Sequence, residues 1–281
     1  MLTLQAPAKI NLTLEVLRRR PDGFHEIRSL LQAIDLSDTL YIEPGEGVTF
    51  KCDMQGWSAE KSLVSQAVGL IKETTGIKKG AAVRIEKKIP LMSGLGGDSS
   101  DAAALLKGLN EFWGLKLPEE KLMELAAKLG SDVVFFLQGG TALAAGRGEK
   151  ITPLPSVGQM WLVLVMPDIP VETGKTGRMY DKLKPSYFTD GSITQKIIEA
   201  LSQGKPFRPA MLFNIFENIA FEDFNIVQLY IDPLLKLGAL HVHLAGSGPT
   251  LFTMLPDKAR AEDIYRKCKA QGMKAYLAAT L

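Results

Sequence analysis

Cysteine is almost absent from the chain. Cys52 and Cys268 are the only two in 281 residues, far apart and without metal or redox spacing, which excludes a disulfide framework and fits a reducing compartment. A surplus of one charge is missing too: 33 basic side chains against 31 acidic ones leave +2, so no broad field invites a nucleic acid, and any anion site must be local. No run approaches the ~20 apolar residues that a membrane-spanning helix requires. The stretch Met1 to Lys9 has no basic region followed by an apolar core, so the reading is a cytoplasmic protein without a targeting segment or membrane partner. Repeats and low-complexity tracts are absent. Histidine occurs three times, as His25, His241 and His243. The last two alternate along a strand with no companion acid or cysteine cluster, which reads as structural and not as a metal site.

What remains is an ordinary soluble composition, 46% apolar and 23% charged, in a length that suits two domains. The stretch Pro153-Leu-Pro-Ser-Val-Gly158 is the best linker, and it divides the chain into residues 1–153 and 154–281. Residues 2–17 alternate as a half-buried strand, with Ile10, Leu12, Leu14 and Val16 on one face and Lys9, Asn11, Thr13 and Glu15 on the other. Strands are expected at 29–34, 35–42, 48–52, 81–85, 141–146, 161–166 and 275–279. Helices are expected at 62–74, with Leu63, Ala67, Leu70 and Ile71 inward, at 118–129, at 192–201 and at 258–271. Residues 212–237 read as helical, and 239–255 as two strands around a second glycine loop.

The densest chemical signal is Pro90-Leu-Met-Ser-Gly-Leu-Gly-Gly-Asp-Ser-Ser-Asp101, followed by an alanine-rich run. Gly94, Gly96 and Gly97 let the backbone approach a ligand with no side chain intervening. Ser99 and Ser100 supply capping oxygens ahead of a helix that runs to about Phe112. Free N–H groups and the partial positive charge of a helix start favour an anion, most naturally a phosphate. The Rossmann fingerprint fails because Ser99 stands where its third glycine belongs, and the Walker pattern fails because Asp98 to Asp101 offers no lysine. The later Gly174-Lys-Thr176 also fails as a Walker motif, since Ile169 holds the place of its leading glycine.

Three further residues carry alternatives. Lys9 in its strand is either a solvated edge residue or a cation for a ligand. His25, after the turn Pro21-Asp-Gly23, is either a surface histidine or a contact to a planar or anionic group. Asp132, at the mouth of the apolar run Val133 to Leu137, is either a helix cap or a proton acceptor.

Taken together, Pro7-Ala-Lys-Ile-Asn11, Asp22-Gly-Phe-His25, Pro90 to Ser100, Leu129-Gly-Ser-Asp132 and Leu244-Ala-Gly-Ser-Gly-Pro-Thr250 resemble, in their order, the small-molecule kinases of the galactokinase, homoserine kinase, mevalonate kinase and phosphomevalonate kinase superfamily. Within it, the Ala-Lys-Ile-Asn and Asp-Gly-aromatic-His stretches resemble the 4-diphosphocytidyl-2-C-methyl-D-erythritol kinase family. The likeness spans nearly the whole chain. It implies an α+β protein: an N-terminal ATP-binding domain like domain 2 of ribosomal protein S5, with a left-handed crossover, and a C-terminal ferredoxin-like domain that completes the substrate cleft. It also implies phosphorylation by ATP, with Mg²⁺, of the 2-hydroxyl of a small molecule carrying a cytidine diphosphate group, in the non-mevalonate route to isoprenoids. A monomer or weak homodimer without a nucleic-acid partner is expected.

The resemblance assigns roles as well. Asp132 is similar to the family's base and Lys9 to its charge partner, which would meet although 123 positions apart. Pro90, Leu91, Met92, Ser93, Gly94, Leu95, Gly96, Gly97, Asp98, Ser99 and Ser100 would cradle the ATP phosphates, with Ser99 or Ser100 near the metal. Phe24 and Tyr180 match the aromatic pair around the cytosine, and His25 its hydrogen-bonding partner. Asn11, Thr176, Gly246 and Ser247 complete the substrate side. Asp98 departs from a usual glycine, so it either adds a metal contact or caps a helix. Asp101 replaces a usual asparagine, Phe24 a tyrosine, Val134 a proline, and Ser62 an asparagine of the adenine side. Two other readings stay open: a kinase for another small alcohol, such as mevalonate or homoserine, and a nucleotide-binding module without turnover.

Overall fold

The first strand, β1, runs unbroken from Leu2 to Arg19, and the second, β2, from His25 to Glu43. A computed structural model describes the chain except for residues 171–173 and 224, with the side chains of 221–227 also outside the description. The order continues with β3 (Val48–Cys52), α1 (Leu63–Thr75), β4 (Ala81–Glu86), α2 (Gly97–Phe112), α3 (Glu119–Leu129), α4 (Ser131–Gln138), β5 (Thr141–Gly146) and β6 (Lys150–Pro153). Then come β7 (Trp161–Met166), α5 (Lys175–Asp181), α6 (Ser192–Ser202), β8 (Phe213–Asn214), α7 (Glu217–Asp223), α8 (Asn225–Lys236), β9 (His243–Leu244), β10 (Leu251–Leu255), α9 (Lys258–Ala270) and β11 (Lys274–Ala279).

Contacts divide the chain into two units. Unit 1 comprises Met1–Ala8, Ser37–Leu91 and Gly96–Gly139, and unit 2 comprises Lys9–Leu36, Met92–Leu95 and Gly140–Leu281. In unit 1, the far end of β2 pairs antiparallel with β4, and β3 pairs parallel with β4 through the α1 crossover. Helix α2 presses on this layer at Gly108, where an added Cβ would fall 2.3 Å from Leu4 Cδ1 and 2.7 Å from Ile42 Cδ1. A larger residue there would have to displace those side-chain ends. In unit 2, β2 pairs antiparallel with β5 from Ile27–Gly146 to Gln32–Thr141, and β1 pairs parallel with β8.

A second sheet in unit 2 has the order β11-β7-β10-β9, with antiparallel neighbours. Counted from β7, that order is four-one-three-two, the ferredoxin-like arrangement. Its apolar strands and Ala261, Ile264 and Cys268 of α9 share one core. The fold is α+β, with a ribosomal protein S5 domain 2-like N-terminal region and a ferredoxin-like C-terminal region.

Four local expectations change. The strands expected at 29–34 and 35–42 are one element, because no residue between them breaks the extended backbone. The stretch expected to be helical from 212 opens instead with β8, whose two residues are too short to leave a period. Helix α1 buries Val64, Ala67, Val68 and Ile71, while Leu63 and Leu70 stay partly exposed, a rotation of the inward face by about one residue. The expected half-buried β1 is buried on both faces over Ala8 to Val16. Residues 171–173, just before Gly174-Lys-Thr176, lie outside the described residues.

Candidate active site

Lys9 is not a solvated edge residue. It is only 6% exposed, and such an ammonium must be held by hydrogen bonds to remain charged. Its Nζ donates to Asn11 Oδ1 at 2.9 Å, Asn11 Nδ2 donates to Ser29 Oγ at 2.8 Å, and Ser29 Oγ donates to the Thr13 carbonyl at 2.6 Å. Lys9 and Asn11 meet because strand side chains repeat every second residue, and Thr13 enters the relay through its backbone carbonyl. The Lys9 backbone N–H also donates to the Leu95 carbonyl at 2.9 Å, which ties the strand to the glycine loop.

The first half of that loop leans on the second glycine loop, within unit 2. Gly94 has φ +85°, and a Cβ there would fall 2.2 Å from the Ala245 carbonyl oxygen and 2.9 Å from that of Gly248. Only glycine satisfies both demands. Met92 takes φ +51°, an uncommon value for a residue with a side chain, and is 53% exposed.

In unit 1 the chain enters α2 earlier than the serines. Gly96, at φ +75°, precedes the helix, and Ser99 and Ser100 lie inside its first turn, so neither caps it. The Ser100 N–H donates to the Gly96 carbonyl at 2.9 Å, the first bond of the helix, and the N–H groups ahead of it in the turn are where an anion is favoured. The Asp98 carboxylate turns toward α1, accepting hydrogen bonds from Ser62 Oγ and, at 3.0 Å, from Leu63 N. Ser62 is the N-cap of α1, its Oγ accepting from Val64 N at 3.3 Å, and Asp98 adds a second acceptor at that helix start.

Beneath this turn, also in unit 1, Lys87 is enclosed with two acids. Its Nζ binds Asp38 Oδ2 and, at 2.6 Å, Asp101 Oδ2, with every side chain essentially unexposed. Asp38 Oδ1 accepts from the backbone N–H of Lys88 and, at 2.8 Å, of Ile89. Burial, with the charges of Asp38 and Asp98, outweighs the Lys87 ammonium and pushes the Asp101 carboxyl up to about 8. A raised carboxyl of this kind resists ionisation in the interior. A Cβ on Gly97 would lie 3.3 Å from Lys87 Nζ and 2.9 Å from Ile89, so the cluster supports the loop from below.

Asp132 stands second in α4, where the helix dipole favours a carboxylate. Gly130, and not the Asp132 side chain, occupies the cap position. Among the described residues, no three histidine, cysteine or acidic side chains could hold a metal ion. Mg²⁺ bound together with a phosphate needs only one or two protein oxygens and takes water and phosphate for the rest. Partly exposed Ser99 fits that need. Ser100 Oγ does not, being enclosed by the chain without a hydrogen-bond partner.

The expected base-binding residues gather in unit 2. His25 stacks on Tyr180 with centroids 5.1 Å apart and planes at 19°, and Tyr180 meets Phe216 edge-on at 4.9 Å. Burial and, secondarily, the Arg19 charge lower the His25 pKa, keeping its ring neutral. Phe24 is 54% exposed, with the Arg147 guanidinium 4.8 Å over its ring. Thr176 Oγ1 and Ser247 Oγ are 2.8 Å apart. A Cβ on Gly246 would lie 3.4 Å from Asn11 Oδ1 and 3.5 Å from Lys9 Nζ. His243 Nδ1 lies 3.1 Å from Glu217 Oε1, an acid partner 26 positions away that the sequence around the two histidines does not offer.

Ser29, Asp38, Lys87 and Lys175 escaped the sequence reading as site residues. Each gains its place from partners distant in sequence, and of the four only Lys175 was named there, as part of the failed Gly174-Lys-Thr176 motif. Comparison with known proteins now adds to this geometry. Residues 62–140 match the GHMP kinases N terminal domain and residues 197–274 the GHMP kinases C terminal domain. A 4-diphosphocytidyl-2-C-methyl-D-erythritol kinase of Dehalococcoides mccartyi is 51% identical over 281 residues, covering 100% of this chain and 99% of its own. One from a Geobacillus species is 38% identical, covering 94% and 91%. A crystal structure of 4-(cytidine 5'-diphospho)-2C-methyl-D-erythritol kinase superposes with a TM-score of 0.84 at 32% identity, covering 99% of each chain.

Proposed function

Because the chain belongs to the 4-diphosphocytidyl-2-C-methyl-D-erythritol kinase family of the GHMP kinases, and is therefore a small-molecule kinase, we propose that it transfers the γ-phosphoryl group of ATP to the 2-hydroxyl of 4-diphosphocytidyl-2-C-methyl-D-erythritol. The observation that carries the reading is the anchoring of Lys9. Its buried ammonium is oriented by Asn11, and its backbone N–H is bonded to Leu95 of the glycine loop.

Phosphoryl transfer asks little covalent chemistry of a protein; it needs the alcohol positioned, its proton removed and the charge on the phosphoryl oxygens offset. Residues 1–153 are the ATP-binding part, with the backbone N–H groups from Gly94 to Ser100 cradling the phosphates. Mg²⁺, held at Ser99 and by the nucleotide, supplies charge neutralisation when bound. The Lys9 ammonium faces the transferred group and stabilises its charge. Asp132 receives the proton of the 2-hydroxyl. Residues 154–281 complete the substrate side, where Tyr180 and Phe24 take the cytosine between their rings, His25 moves off Tyr180 to bond the base edge, and Asn11, Thr176, Gly246 and Ser247 meet the rest. Stacking of this kind is worth about 1–3 kcal/mol per base.

Substitution of the base tests the reading. Asp132→Asn is expected to bind ATP as tightly as the wild type and to lose at least ~10²-fold in kcat. Near-normal turnover would remove Asp132 from the reaction.

A further inference from the structure

Unit 2 contains a second ammonium group, which none of the roles above uses. Lys175 opens α5, and its Nζ donates to the Gly248 carbonyl oxygen. Among the described residues this is its one acceptor, and no carboxylate accompanies it. An ammonium has three N–H donors. Here two are left without an acceptor among the described residues, in a setting that withdraws water. Burial alone lowers the pKa of this amine to about 8. A partly buried cation with no counter-charge costs free energy that an arriving anion removes.

The neighbourhood indicates where the anion lies. Gly246, Ser247 and Gly248 form a turn with an ammonium at each end. A Cβ on Gly246 would sit 3.5 Å from Lys9 Nζ, and Gly248 holds Lys175 by its carbonyl. Thr176, the next residue of α5, meets Ser247 in the middle of the turn at 2.8 Å. Tyr180 follows Thr176 by four residues on the same helix face, about 6 Å of rise, the scale of the ribose that joins a base to its phosphates, and Lys175 adjoins Thr176. A base on Tyr180 thus brings its phosphates toward Lys175.

We propose that Lys175 is a substrate-binding residue that engages the diphosphate of a cytidine diphosphate-linked substrate, with Ser247 and Thr176 beside it. This rests on the cytidyl reading given above. It divides the work of the two lysines: Lys9 serves the phosphoryl group in transfer, and Lys175 holds a diphosphate that does not react. An ATP phosphate offers the same chemistry, and the test separates the two sources.

The experiment compares the wild type with Lys175→Met, Lys175→Gln and Lys175→Arg. KM is measured separately for the cytidyl substrate and for ATP, and calorimetry measures the binding of CDP and of cytidine at saturating unhydrolysable ATP analogue. In Met and Gln variants that melt like the wild type, KM for the cytidyl substrate rises about tenfold or more, as loss of a charged hydrogen bond implies, while KM for ATP stays within about twofold. The preference for CDP over cytidine collapses with it, and Lys175→Arg retains most of both. A rise confined to KM for ATP overturns the assignment, as does an unchanged preference for CDP. If only Lys175→Arg folds, loss of the CDP preference in that variant overturns it too. A wild type that ignores the cytidyl substrate overturns the parent reading, and the wild-type assay alone reveals that failure.

Discussion

The Lys9 ammonium donates to the side-chain oxygen of Asn11, two residues along the same strand face, at 2.9 Å. That amide is itself fixed through Ser29, so the cation is positioned by a relay with few alternative arrangements. Asn11→Ala is expected to lower kcat by about tenfold or more, and to cost about 1 kcal/mol of stability for the lost buried hydrogen bonds. Ser29→Ala removes the relay one step further out and is expected to lower kcat in the same direction by a smaller factor. Steady-state kinetics with urea unfolding check both. Wild-type kcat in Asn11→Ala would mean that Lys9 finds its position without the relay.

The Asp98 contact with Ser62 and Leu63 joins residues 36 and 35 positions apart. Asp98→Ala and Ser62→Ala are each expected to destabilise by about 1 kcal/mol, as lost helix caps do. The double variant is expected to lose less than the sum, since the two residues share one interaction. A double-mutant cycle in urea decides, and strict additivity would show that Asp98 turns elsewhere.

The His25 ring lies against Tyr180 within reach of the Arg19 charge, and its pKa is lowered from 6.5 by burial first and Arg19 second. A group whose folded pKa is depressed in this direction resists its proton, so protonation costs stability once pH falls below about 6.5. An NMR titration of the His25 Cε1 proton is expected to give a midpoint below that value, and Arg19→Gln is expected to move it upward. A midpoint above 6.5 would contradict the burial seen here.

Much of this was readable in the chain itself. The glycine and serine spacing from Gly94 to Ser100, the first strand and the two glycine loops carry strong local patterns, because turns and helix starts depend on nearby residues. Burial of the Lys9 face was not readable. Alternation records which residues share a face and does not record whether another layer covers it. The Asp98 contact and the Lys87 cluster depend on partners 14 to 49 positions away in sequence, beyond any local period. The β8 strand, at two residues, left no period either. Lys175 looked like part of a failed Walker motif, and its lack of a carboxylate partner among the described residues is a property of the folded chain.

The most direct measurement is a turnover assay with phosphorus NMR. Purified protein, ATP and Mg²⁺ are supplied in parallel with 4-diphosphocytidyl-2-C-methyl-D-erythritol, mevalonate and homoserine. The account predicts ADP release and a new phosphomonoester at the 2-position with the cytidyl substrate, and negligible product with the other two. Phosphorylation of mevalonate or homoserine with none of the cytidyl substrate, or nucleotide binding without turnover of any of them, would contradict it.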